Sequence, residues 1–224
     1  MIKSTKDASV IITSYPLWLF RNLHKLHFER RVVFMDWDNK DNYVKEVTLI
    51  CWEAYQTLTC YYHFQYLLDS FYSDLDKINL ATDYFAETLK AMRYRLILGT
   101  SKLFEKNKDS ANILKLLNCG EQNLIHRDNL RDIIENARIG YSDFEPEIEE
   151  LFNYRNKLFA HQDRKELLNT DTESILDSDL WDKIGKMLNW ALSMLQEISV
   201  ACGDHPRTFK KPANGLSVLL SRIV

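Results

Sequence analysis

The chain carries an arginine where its neighbours ask for an apolar residue. Between Pro146 and Phe159, Ile148, Leu151, Phe152, Leu158 and Phe159 recur at three- and four-residue steps. Arg155 falls in the same stripe, and a helix turning about 100° per residue aims it where Ile148 and Phe159 point. A guanidinium cannot shed its charge, so an inward-facing one needs a partner, a water-filled cleft or an anionic ligand. Further along the same string stands His161, a side chain that takes up and releases protons near neutral pH. An arginine can hold a phosphate by two hydrogen bonds and stabilise charge building on its oxygens. Together the two residue types could cleave RNA without a metal, using the ribose 2′-OH as internal nucleophile.

Spacing does not complete that site. Five residues separate Arg155 from His161. On an ideal helix the two then stand about 120° apart and ~9 Å apart along the axis. Either the helix ends near His161 and lets it swing, or groups from elsewhere complete the site, including a second copy of the same helix. Asn156 sits at the edge of the stripe, and Lys157, Arg164 and Lys165 add positive charge around it. The competing reading places Arg155 in an internal salt bridge, to Glu149 or Glu150, with His161 an ordinary exposed residue at a helix end.

Other chemistries lack their residues. Asp36, Asp38 and Asp41 resemble an acidic calcium loop, but Lys40 takes the fifth position and the required Gly and terminal Glu are missing. His24 and His27 have the spacing of a ligand pair, with no acid or cysteine to complete a set. There is no P-loop, GxGxxG or GxSxG string, and nothing ties Cys119 to a base. No cofactor and no metal are expected. Cys51 and Cys60 fall in one apolar helical run and read as free thiols.

The elements that must position Arg155 read as helices. Apolar residues from Tyr43 to about Leu75 follow a helical period, and a second long helix runs from about Leu80 to Lys106. Gly99 inside it marks close helix contact or a bend. Aromatics crowd the first of these helices, which fits core packing better than a nucleic-acid stacking surface. Ser110 is placed to cap a short helix through Leu117 that Gly120 terminates, and another runs from about Arg127 to Arg138, ending at Gly140. Pro146 opens the helix that carries Arg155, with Glu145, Glu147, Glu149 and Glu150 favourable at its positive end. After a polar loop, Ser178 or Asp179 caps a last helix to about Cys202. Ahead of these, Leu17 to Phe28 reads as a helix and Val32 to Phe34 as a short strand or turn; behind them lies an apolar segment from Leu216 to Val224.

Six Gly and four Pro in 224 residues are too few for a loop-rich all-β protein. A net charge of −3 confines any nucleic-acid binding to a local basic patch. Arg21, Lys25, Arg30 and Arg31 form one candidate, or else a solvated helix face. No apolar run reaches the length of a membrane span and no signal peptide is legible, so a cytoplasmic location is expected.

The string Asn153-Tyr154-Arg155-Asn156-Lys157-Leu158-Phe159-Ala160-His161-Gln162-Asp163 resembles the motif of the HEPN superfamily. That motif is an arginine, a polar residue, and four to six positions in all before a histidine. Arg-Asn-Lys, Ala-His and an aspartate two residues later look most like the AbiU-type abortive-infection branch. Residues 80–118 are similar in layout, with Tyr94-Arg95-Leu96 and Leu103-Phe104 ahead of Ile113-Leu114 and Leu116-Leu117. The resemblance covers 43–202 as a HEPN-like helical domain, leaving 1–42 as an N-terminal extension and 203–224 as a tail.

The resemblance implies an all-α bundle with two long antiparallel helices and additional shorter ones, dimerising so that two motifs face one cleft. It implies a metal-independent endoribonuclease acting as a toxin or phage-defence effector, with RNA as substrate and no membrane partner. A cognate antitoxin is a further partner such systems imply. By motif position, Arg155 would bind or polarise the scissile phosphate, Asn156 would orient it, and His161 would be the general base or acid. Lys157 and Asp163 would support them, and Arg164 and Lys165 would contribute positive charge for RNA. Some HEPN relatives are inactive scaffolds, so the alternative is a helical protein that binds RNA or a partner without cutting.

Overall fold

The run of apolar side chains from Tyr43 to Leu67 becomes the spine of the molecule, α1 (Lys40–Ser73). Tyr43, Val47, Ile50, Ala54, Leu58, Phe64 and Leu67 are all buried on it, which stabilises the fold by about 1.5–3 kcal/mol for each large apolar side chain. The computed structural model describes residues 40–107, 110–123, 128–160, 178–203, 209, 211–213 and 215, all within one compact unit, 37–224. The expected elements at Leu17–Phe28, Val32–Phe34 and Leu216–Val224 lie outside the described residues, as do His24, His27 and the basic cluster from Arg21 to Arg31. Among the described residues the fold is all-α, with seven helices and no strand.

A short turn of helix, α2 (Leu75–Asn79), reverses the chain into α3 (Thr82–Phe104), which returns along α1. The pairing is antiparallel: Glu53 meets Lys102, Thr57 meets Gly99, and the Cys60 thiol reaches the Met92 carbonyl at 3.8 Å. Gly99 is therefore a close-contact glycine, because a Cβ there would stand 2.5 Å from Thr57 Oγ1. Glu105 then turns extended and stops the helix (φ −62°, ψ 140°).

Two shorter helices follow, α4 (Ile113–Asn123) and α5 (Asp128–Asp143). Asn112 rather than Ser110 caps α4: its Oδ1 accepts the Lys115 N–H at 2.8 Å, and its Nδ2 donates to the Asn107 carbonyl at 2.7 Å. Neither glycine terminates a helix as the sequence suggests. Gly120 lies inside α4, where a Cβ would strike Tyr43 Oη and Ile134 Cδ1, each at 2.5 Å. Gly140 lies inside α5 against the Trp190 indole.

Phe144 alone separates α5 from α6 (Glu145–Ala160), which begins with Pro146 in its first turn as expected. The last helix, α7 (Ser178–Ala201), buries Leu180, Trp181, Ile184, Met187, Leu188, Ala191, Leu195 and Ile198. It lies antiparallel on the other side of α1, with Trp181 against Phe64 and Gly185 against Tyr61. Beyond it, Phe209 packs on Tyr55 and the Pro212 carbonyl accepts the Tyr66 hydroxyl at 3.1 Å. No disulfide joins the four cysteines; Cys51 is buried, and burial pushes the half-buried Cys60 thiol up to about 11. Among the described residues, no helix is long and apolar enough to cross a membrane.

Candidate functional site

α6 lies against α3 and meets α5 and the start of α7. Ile148 and Leu151 face inward at 2% and 0% exposure, and Phe152 and Tyr154 pack against the same core from its edge. These contacts fix the rotation of the helix and so the direction of Arg155.

Arg155 is not buried, although it shares a direction with Ile148. Its side chain is 28% exposed. The physical reason is length: the guanidinium lies 4.8 Å from the centre of the Phe152 ring and reaches the rim. Its Nε and Nη2 donate long hydrogen bonds, 3.4 Å each, to the Asn156 amide oxygen. Glu105, just past the end of α3, has a carboxylate oxygen 3.9 Å from Nη1, a distance for attraction across the rim and too long for a hydrogen bond. The internal bridge weighed from sequence, to Glu149 or Glu150, does not form as that reading had it. Glu150 instead accepts from Lys183 on α7 at 2.9 Å, and Glu149 is exposed.

The structure thus brings Arg155 and Asn156 together and adds Glu105 from another element. Lys157 lies on α6, and its side chain is outside the description. His161, Asp163, Arg164 and Lys165 lie outside the described residues altogether; His161 directly follows Ala160, the last residue of α6.

Two neighbours carry a second feature. Arg93 on α3 donates a hydrogen bond to the Tyr154 hydroxyl, and its guanidinium lies 5.3 Å from that ring's centre. Burial pulls the Arg93 guanidinium below its ordinary value. Tyr154 is thereby tied to α3 immediately beside Arg155. Neither Glu105 nor Arg93 is legible as a neighbour from sequence, because both contacts cross between helices some fifty to sixty residues apart. The only trace is that Glu105 follows the last apolar turn of its helix.

One further acid sits nearer the core. Burial pushes the Glu53 carboxyl up, but Arg95 at 2.9 Å and Lys102 at 3.2 Å outweigh it and hold the group below the ordinary carboxylate value. Those basic groups of α3 are committed to pinning α1.

Chemically, the rim of α6 offers a fixed positive charge, a side-chain amide beside it and a carboxylate at arm's length. Comparison with curated proteins and with solved structures finds no match. The HEPN family model described as AbiU2 matches residues 40–216, nearly the whole of the bundle and the segment that follows it. The chain belongs to the AbiU2 family of HEPN domains, an abortive-infection-related family.

Proposed function

We propose that the protein is a metal-independent endoribonuclease that acts as an abortive-infection effector and works as a homodimer. The observation that carries the reading is the state of Arg155. Its guanidinium is held at a rim by a ring and a neighbouring amide, and the Glu105 carboxylate lies 3.9 Å away, beyond hydrogen-bonding distance. A phosphate placed there can take two charge-assisted hydrogen bonds that Glu105 does not.

In this reading Arg155 grips the scissile phosphate and offsets the charge that builds on its oxygens. Asn156, adjacent and exposed, orients the phosphate or the guanidinium. His161 takes the proton from the ribose 2′-OH or returns one to the departing 5′-oxygen. The 2′-oxygen forms its bond to phosphorus as the bond to the 5′-oxygen breaks, leaving a 2′,3′-cyclic phosphate. Lys157, Asp163, Arg164 and Lys165 support the site and add charge for the RNA strand. A second protomer supplies the opposing half of the cleft, and a cognate antitoxin would hold the activity in check.

Purified protein incubated with RNA in EDTA tests this. Cleavage to 2′,3′-cyclic phosphate ends is expected, lost in both Arg155→Ala and His161→Ala. Undiminished cleavage in the two variants would defeat the assignment, and salt-sensitive RNA binding without product would favour a non-cutting scaffold.

A further inference from the structure

A ribose that attacks its own phosphate needs two proton transfers. One proton leaves the 2′-hydroxyl and another reaches the departing 5′-oxygen, and in an in-line displacement those oxygens lie on opposite sides of phosphorus. A single imidazole cannot stand on both sides at once. The nuclease reading gives His161 either task and leaves the other without a group.

Glu105 stands where a carboxylate can take one of them. Phe104 before it is fully buried, and its carbonyl accepts the Tyr141 hydroxyl at 3.0 Å, so the end of α3 is fixed. The extended backbone at Glu105 then leads the chain out of the helix beside the rim of α6. The two carboxylate oxygens face different groups. Oε2 lies 3.3 Å from the Ser110 hydroxyl, which shares its proton with the Asn107 carbonyl at 3.2 Å and accepts from Asn112 Nδ2 at 3.1 Å. The loop that caps α4 thereby holds Oε2. Oε1 is turned to Arg155, 3.9 Å from Nη1.

The guanidinium divides its edges to match. Nε and Nη2 face the Asn156 amide oxygen, at 3.4 Å each, and Nη1 faces Glu105. A phosphate oxygen gripped by Nη1 would stand about 2.8 Å from it. Phosphate and carboxylate then share one nitrogen of the guanidinium, whose charge offsets their repulsion. A 2′-oxygen in attacking position lies ~3–3.5 Å from phosphorus, so the hydroxyl can occupy the space between phosphate and Glu105. A carboxylate that served only to neutralise Arg155 would close to about 2.7–2.9 Å; the wider gap leaves Oε1 able to accept that proton.

We infer that Glu105 is the general base of the reaction, an inference that deepens the nuclease reading and rests on it. Oε1 takes the 2′-hydroxyl proton as the 2′-oxygen bonds to phosphorus. The bond to the 5′-oxygen breaks, and His161 supplies the proton that this oxygen gains. The carboxyl group and the imidazole then exchange protons with water and return to their starting states.

Two RNA strands test it on the full chain in EDTA, one ordinary and one with sulfur in place of the 5′-oxygen at the cleavage position. A thiolate departs without a proton, so the sulfur strand needs the base and not the acid. Glu105→Gln should lower kcat about 100-fold on both strands, with KM changed by less than about threefold, and Glu105→Asp should restore part of the loss. His161→Ala should be slow on the ordinary strand and within about threefold of wild type on the sulfur strand. Glu105 is 33% exposed at a helix end, so both of its substitutions leave the core intact. Recovery of Glu105→Gln on the sulfur strand, or an unimpaired or faster Glu105→Gln on ordinary RNA, would overturn the assignment and leave the nuclease reading in place. Failure of the wild-type protein to cut either strand would instead remove that reading, and the base with it.

Discussion

Arg155 keeps its charge by lying along the protein instead of inside it. The stripe on α6 correctly predicts its direction, but direction around a helix says nothing about how far a long side chain reaches. The guanidinium lies over Phe152 and the side chain stays 28% exposed, so no buried partner is required. The pattern in the sequence therefore reveals an unusual position and overstates its burial. Its true neighbour, Glu105, could not be read, since only the fold brings α3 to that rim. At this scale the account makes a specific demand on geometry. Arg155→Lys retains the charge and loses the planar fork, so RNA cleavage should fall by about 100-fold. Thermal stability should change by less than about 1 kcal/mol, as expected for a partly exposed side chain. A lysine variant that cleaves at the wild-type rate would show that two-pronged recognition is not used.

A helix boundary is legible only where its local marker is sound, and helix contacts are legible only in part. Pro146 with its first-turn acids marks the start of α6, and the observed start at Glu145 follows it. α2 was missed because five residues are too few to display a period. The glycines show the division most clearly. Gly99 reads as a contact or a bend and is a contact, whereas Gly120 and Gly140 read as helix ends and are contacts too. A glycine needed for close approach and one needed at a terminus look alike until the facing side chain is known. Gly99→Ala should cost about 1–3 kcal/mol, because Thr57 is β-branched, fixed by its bond to Glu53, and cannot retreat. Combining it with Thr57→Ala should cost less than the two separate losses by at least about 0.5 kcal/mol in urea titrations. Strict additivity would mean that the two helices do not meet there.

The whole molecule is a spine, α1, flanked by α3 and α7, with α4, α5 and α6 packed around that core. That the domain is all-α follows from period and composition, since a chain with so few glycines and prolines and such long helical runs has little choice but to pack helix on helix, whereas which helices flank α1 does not. What the period cannot encode is the second copy that the proposed cleft requires. Light scattering should return twice the 26.5 kDa chain mass at micromolar concentration. Mixing wild-type with Arg155→Ala chains should then depress cleavage by more than dilution alone; a monomer that loses activity in simple proportion would remove the shared cleft. The central claim is that the ribose itself attacks a phosphate held by Arg155, and one substrate comparison addresses it most directly. An RNA strand and the same strand with 2′-deoxyribose at the cleavage position are incubated with the protein in EDTA. The account predicts that the all-ribose strand is cut to a 2′,3′-cyclic phosphate and the substituted position stays intact, whereas cutting at the deoxyribose position would contradict it.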